Sequence, residues 1–155
     1  MPGFSVWLTV EGGEKIAKDL KDPNLLRPLR DAYEKGTYLT EREVKTRTPR
    51  DTSVLASSIK STIDPQPVPL WGKVATDVKY AIFVEKGTRP HFPPMRALEG
   101  WAHRHGIPTF LAARAIAEKG TKAHKMFEKG FEAVRDKIIG FFEAACKTIE
   151  GKWGR

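Results

Sequence analysis

The stretch Tyr80-Ala81-Ile82-Phe83-Val84-Glu85-Lys86-Gly87-Thr88-Arg89-Pro90-His91 decides how the chain is read. Its first half is apolar and ends at a carboxylate, Glu85. Its second half holds a turn glycine, a hydroxyl, a cation and a proline that fixes φ. A segment that builds core thus delivers a small polar cluster to one point in space. Short hydrophobic segments precede it and helices follow it, so it reads as the hinge of the fold. Six residues leave Tyr80 to Glu85 open between a short helix and a continued strand. No hydrolytic, redox or phosphate-binding motif runs through it, which favours action by contact over turnover of a substrate.

The 155 residues are the size of one domain, spanning 1–155, and bury about two-thirds of their unfolded surface. A chain that is 40% hydrophobic and 30% charged suits a folded protein outside the membrane. No apolar run approaches the roughly 20 residues that span a bilayer, and the N-terminal segment is too polar for a signal peptide. The single cysteine, Cys146, excludes an internal disulfide. Its place in an apolar helical pattern reads as buried filler. The net charge of +8 raises affinity for any polyanion. Basic residues are nevertheless interleaved with acids, and no nucleic-acid module is present. A basic nucleic-acid-binding module stays open as the alternative function.

Outward from the hinge, Phe4 to Val10 alternates like a strand, and Glu14 to Leu20 reads as a short helix. Asn24 is a candidate N-cap for an amphipathic helix from Leu25 to about Arg47. Leu25, Leu29, Ala32, Tyr33, Gly36, Thr40 and Val44 form its apolar stripe. Gly36 costs about 1 kcal/mol relative to alanine there, which a close packing partner would explain. Ser53 to Ile63 and Leu70 to Thr76 read as two strands of a long hairpin. Their connection, Asp64 to Pro69, holds three prolines and reads as a projecting loop. Helices are expected from Met95 to about His105 and from Phe110 to Glu118, with Gly120 as a C-cap. A last helix of about 24 residues, Met126 to about Glu150, carries the stripe Phe127, Phe131, Val134, Ile138, Phe141, Phe142, Ala145 and Ile149. No internal repeat is read. The sum is an α+β fold: an antiparallel sheet with a long β-hairpin, packed against a long N-terminal and a long C-terminal helix. The C-terminal stripe covers the sheet or meets a neighbouring subunit.

Catalytic chemistry finds little purchase. His103 and His105, two apart on a helix, point about 200° away from each other and cannot share an ion. A hydrolase built on Glu85 and a histidine has no supporting motif. No catalytic, metal-binding or cofactor-binding residue is assigned, and no cofactor is expected. Thr48-Pro49-Arg50-Asp51-Thr52-Ser53 links helix to strand, and Asp51, Thr52 and Ser53 can bond their own backbone to fix that turn.

These segments, in this order, resemble the minor tail-component family of long-tailed bacteriophages, the HK-ninety-seven gene-ten-like neck and tail-completion proteins. The family pattern runs threonine-proline-x-aspartate-threonine-glycine, then leucine-x-x-serine-isoleucine. Here stand Thr48-Pro49-Arg50-Asp51-Thr52-Ser53 and Leu55-Ala56-Ser57-Ser58-Ile59. Tyrosine-alanine and valine-glutamate-x-glycine-threonine follow, matched by Tyr80-Ala81 and Val84-Glu85-Lys86-Gly87-Thr88. A phenylalanine-led terminal helix, here from Met126-Phe127, closes the pattern. Ser53 stands where glycine is usual, and a helical insertion at about 94–120 is longer than the pattern expects.

The resemblance implies a non-enzymatic virion structural protein of the phage head-tail interface. It would be a neck or tail-completion ring subunit joining the DNA-filled head to the tail, assembled in the host cytoplasm. Implied partners are copies of itself in a ring and neighbouring head-closure, tail-terminator or tail-tube proteins. Non-specific contact with DNA in the channel is implied as well, and no membrane. The implied structural turn comprises Thr48, Pro49, Asp51, Thr52, Tyr80, Glu85, Gly87, Thr88 and Arg89. The implied interface helix presents Phe127, Phe131, Val134, Ile138 and Phe141, and the loop at Pro65 to Pro69 reaches a neighbouring ring.

Overall fold

Alternation in the first described segment produces β1 (Ser5–Thr9), whose Val6 and Leu8 turn inward while Trp7 and Thr9 stay exposed. The computed structural model describes residues 4–9, 24–66, 69 and 71–153, so the expected helix at Glu14 to Leu20 lies outside the described residues. Helix α1 (Arg27–Arg47) follows, then α2 (Val54–Ser58), β2 (Lys60–Ile63) and β3 (Trp71–Ala75). Next come α3 (Ala81–Lys86), α4 (Met95–Arg104), α5 (Thr109–Lys119), α6 (Met126–Glu132) and α7 (Arg135–Trp153). The result is an α+β fold around an antiparallel sheet of order β1-β3-β2.

Helix α1 is the spine of the molecule. Its cap position falls at Leu26 and not at Asn24, with Pro28 in the first turn where no N–H is needed. Ion pairs one turn apart (Arg30 with Glu34, Glu41 with Lys45, Glu43 with Arg47) brace its solvent side. The buried face, Ala32, Tyr33, Gly36, Thr37, Thr40 and Val44, lies between the sheet and the terminal helices. A Cβ at Gly36 would meet Leu8 of β1 at 3.3 Å and Ile138 of α7 at 3.5 Å. At Gly130 of α6 it would meet the Val44 backbone at 3.0 Å. Glycine at these two points sets how closely the layers approach.

Several expectations are corrected. The first half of the expected strand Ser53 to Ile63 is helix α2, so the hairpin strands are only four and five residues long. Adjacent Leu55 and Ala56 are both buried, which one face of a strand cannot achieve. Ser57 and Ser58 donate their hydroxyls back to the carbonyls of Val54 and Leu55, favouring the turn. The terminal helix is interrupted, because Ala133 and Val134 form a turn in which the Val134 amide donates to the Phe131 carbonyl. Of the hairpin connection, Asp64 and Pro69 are buried at its base while Pro65 and Gln66 are exposed, and Arg30 donates to the Gln66 carbonyl at 3.0 Å.

The core gathers Val44, Leu55, Ile59, Val74, Ala81, Met126 and Phe127, with Phe4 and Val84 against it. Helix α7 lies along α1 and not on the sheet; Phe142 meets Tyr33 edge to face at 4.9 Å. Phe127, Val134 and Ile138 are buried inside this chain, Phe127 in the core beside Phe4, so as an interface helix they have nothing to offer a neighbour. Phe131 and Phe141 are half-buried. Cys146 is exposed, one step of about 100° from the buried Ala145, which corrects its reading as core filler. Helices α4 and α5 form the insertion and pack chiefly on each other.

Candidate functional site

The apolar half of the hinge forms α3, which points Ala81 into the core and leaves Tyr80, Ile82 and Phe83 exposed. Glu85 follows Ala81 by four residues and shares its buried face. Its side chain is only 3% exposed, yet it is not stranded. The amides of Phe127 and Glu128 donate to its two carboxylate oxygens at 3.0 and 3.1 Å. These are amides of the first turn of α6, which have no partner within their own helix. The residue at the cap position, Lys125, lies in the left-handed region at φ 52 and supplies no side-chain acceptor. Glu85 takes over that task from 42 residues away, and its negative charge suits a helix N-terminus.

The backbone after Glu85 continues the attachment. His124 donates to the Val84 carbonyl at 2.9 Å and Lys125 to the Glu85 carbonyl at 3.1 Å. Thr88 and Thr121 exchange backbone bonds of 3.1 and 3.2 Å, and their hydroxyls lie 3.0 Å apart. Gly87 and Gly120 both adopt φ 70. A Cβ on Gly87 would sit 2.4 Å from the Thr121 carbonyl oxygen, and one on Gly120 would sit 2.1 Å from that of Thr88. Only glycine allows this turn and this approach together. The two segments form a clasp that fixes where the terminal helices begin.

The Thr48 turn reaches the same place from the other side. Thr48 is buried; its hydroxyl donates to the Val44 carbonyl at 2.7 Å and lies 3.4 Å from the Met126 sulfur. Thr48 and Glu85 therefore converge on Met126 and Phe127. Asp51 does not fix its own turn as expected. Its carboxylate takes a two-pronged pair from Arg104 of α4, with His105 at 3.6 Å. The Arg104 hydrogen bonds hold the Asp51 carboxyl below its ordinary range, helped by the charges of Arg104 and His105. Ser53, at the position of the usual glycine, keeps the left-handed conformation at φ 61. Pro49, Thr52, Tyr80 and Arg89 are exposed. Of these, Tyr80 offers its carbonyl to Phe83 and Val84, and Arg89 offers its carbonyl to His91 Nδ1.

Thr121, Lys125 and Arg104 were not anticipated. One signal was available for the first of them. Glu-Lys-Gly-Thr occurs at 85–88 and again at 118–121, so the chain does hold a short repeat, and its two Gly-Thr units are the ones that pair. A third copy, at 34–37, lies inside α1 and serves packing.

Chemically, the arrangement holds parts together. Both Glu85 oxygens are occupied by backbone amides, and no histidine joins it. Among the described residues no cluster of three or more His, Cys, Asp or Glu side chains is arranged as metal ligands, and no helix is long and apolar enough to cross a membrane. Comparison of the chain with protein-family models, with curated proteins and with solved structures yields no match.

Proposed function

We propose that this chain is a virion structural subunit of the phage head-tail interface, a neck or tail-completion ring component that works through protein contacts without catalysis. One observation supports this reading above the others. The residues that carry the family resemblance, Thr48 on one side and Glu85, Gly87 and Thr88 on the other, converge on the start of the terminal helices and stabilise the subunit itself. Residues spent on the shape of the subunit suit a protein whose product is an assembly. Surfaces for neighbours would come from exposed side chains such as Phe83, Phe92, Phe110 and Leu111, and not from the buried terminal stripe. Closed rings let modest contacts repeat around one path.

The test is light scattering on the purified chain, then negative-stain microscopy with head and tail particles. Rings, or decoration of either particle, are expected. A monomer that binds neither particle argues against the proposal. A steep salt dependence of tight DNA binding would instead favour a basic nucleic-acid-binding module.

A further inference from the structure

Antiparallel pairing leaves every second residue of an edge strand with its N–H and C=O facing away from the sheet. The Thr76 amide donates to the Phe4 carbonyl at 3.2 Å, so Phe4, Val6 and Leu8 bond to β3 and Ser5, Trp7 and Thr9 turn outward. The same counting turns Ser61 of β2 outward, and there Glu41 Oε2 accepts the Ser61 amide at 2.7 Å. Helix α1 thus closes the β2 edge. Burial would raise the Glu41 carboxyl, but hydrogen bonds from Lys45 and Ser61 outweigh it and keep the group ionised for this task. Among the described residues no hydrogen bond takes up the outward groups of β1. An open edge is a template for another strand.

Both faces beside that edge are prepared. On the inner face, Phe4, Val6 and Ala123, with Lys86, Lys125 and Glu128, line a half-open depression of about 300 Å³. On the outer face, Trp7 meets Trp71 edge to face at 5.3 Å, and the Lys73 ammonium lies 4.8 Å over the Trp7 ring. Lys60 shares this face, and the three strands place no carboxylate on it.

We propose that β1 accepts an extended segment of another protein as a fourth strand, acidic on its outer face and apolar on its inner face. Main-chain bonds would hold it, and the depression and Lys73 would select its alternating side chains. Charge complementarity argues for this occupant. A second copy brings +8 of its own, and its β1, Ser-Val-Trp-Leu-Thr, has no acid to offer. Nucleic acid fits poorly, because half of the outward row is carbonyl oxygen that repels phosphate. The proposal does not rest on the virion reading.

The probe is a capped seven-residue peptide of alternating glutamate and valine, added to the full chain. Amide exchange followed by NMR should show Trp7 and Thr9 unprotected in the free protein and protected on binding. In antiparallel pairing, cross-strand partners share a face, so the glutamate nitrogens would be the ones donating to β1. N-methylation of the glutamate nitrogens should weaken binding by at least about tenfold, while methylation of the valine nitrogens is tolerated. Replacing glutamate with lysine should also abolish binding. The doubly substituted Ser5→Pro, Thr9→Pro chain removes outward donors only and should lose the peptide while melting normally. If that variant misfolds, the methylated peptides still decide the matter. Protection of Trp7 without peptide, a dimer through β1, or indifference to the methylation pattern would overturn the proposal.

Discussion

The carboxylate of Glu85 accepts the amide of Phe127 at 3.0 Å, joining the end of α3 to the start of the terminal helices across 42 residues of chain. Glu85→Ala would leave this amide and that of Glu128 without acceptors at a buried helix start. A loss of about 2–4 kcal/mol is expected, read as a lower urea midpoint. Glu85→Gln, with one acceptor oxygen left, should lose less. Equal midpoints for Glu85→Ala and the parent would mean that water replaces the carboxylate without cost.

Gly87 and Gly120 differ from Gly106 although all three have positive φ. Gly106 has open space around it, whereas the first two face carbonyl oxygens across the Thr88–Thr121 bridge. Gly106→Ala should cost about 1 kcal/mol, the backbone preference alone. Gly87→Ala and Gly120→Ala should cost more, because they must also spread the bridge. Thermal melting of the three variants orders them, and equal losses would remove the steric part of the argument.

What the sequence made legible follows from period and composition. The α1 stripe and Gly36 were readable because one helix face repeats over twenty-one residues and glycine in its middle needs a reason. Helix α2 was not, since Leu55 and Ile59, four apart, fall on one side of either a helix or a strand. The break at Ala133–Val134 was hidden because Phe127, Val134, Ile138, Ala145 and Ile149 keep a continuous seven-and-four spacing through it. Glu85 stood out as a carboxylate ending an apolar run. Its partners are backbone amides, which every residue has, so no side-chain pattern could reveal them.

The terminal stripe should divide into two classes. Ile138 is 3% exposed between α7 and α1, and Ile138→Ala should cost about 2–5 kcal/mol. Phe131 is only half-buried, and Phe131→Ala should cost less than Ile138→Ala. Urea denaturation of Ile138→Ala tests the packing of α7 on α1, and that of Phe131→Ala tests α6. Unchanged stability for Ile138→Ala would mean that the helix leaves α1 in the free chain.

Asp51 ties the α4–α5 insertion to the turn after α1, and its acidity gives that tie a pH dependence. Arg104 holds its carboxyl below the value it has in the unfolded chain. The contribution is therefore fully present above the unfolded value, near pH 4, and is lost as the pH falls through the lower folded value. As the pH falls below about 4, protection of the insertion in hydrogen exchange should drop. Asp51→Asn removes the charge that Arg104 grips, so its insertion should already be looser at pH 7 and should lack this acid step. An identical acid profile in the parent and in Asp51→Asn would place the attachment elsewhere, in the bond from the His91 amide to the Ile116 carbonyl and the bridge at Thr88.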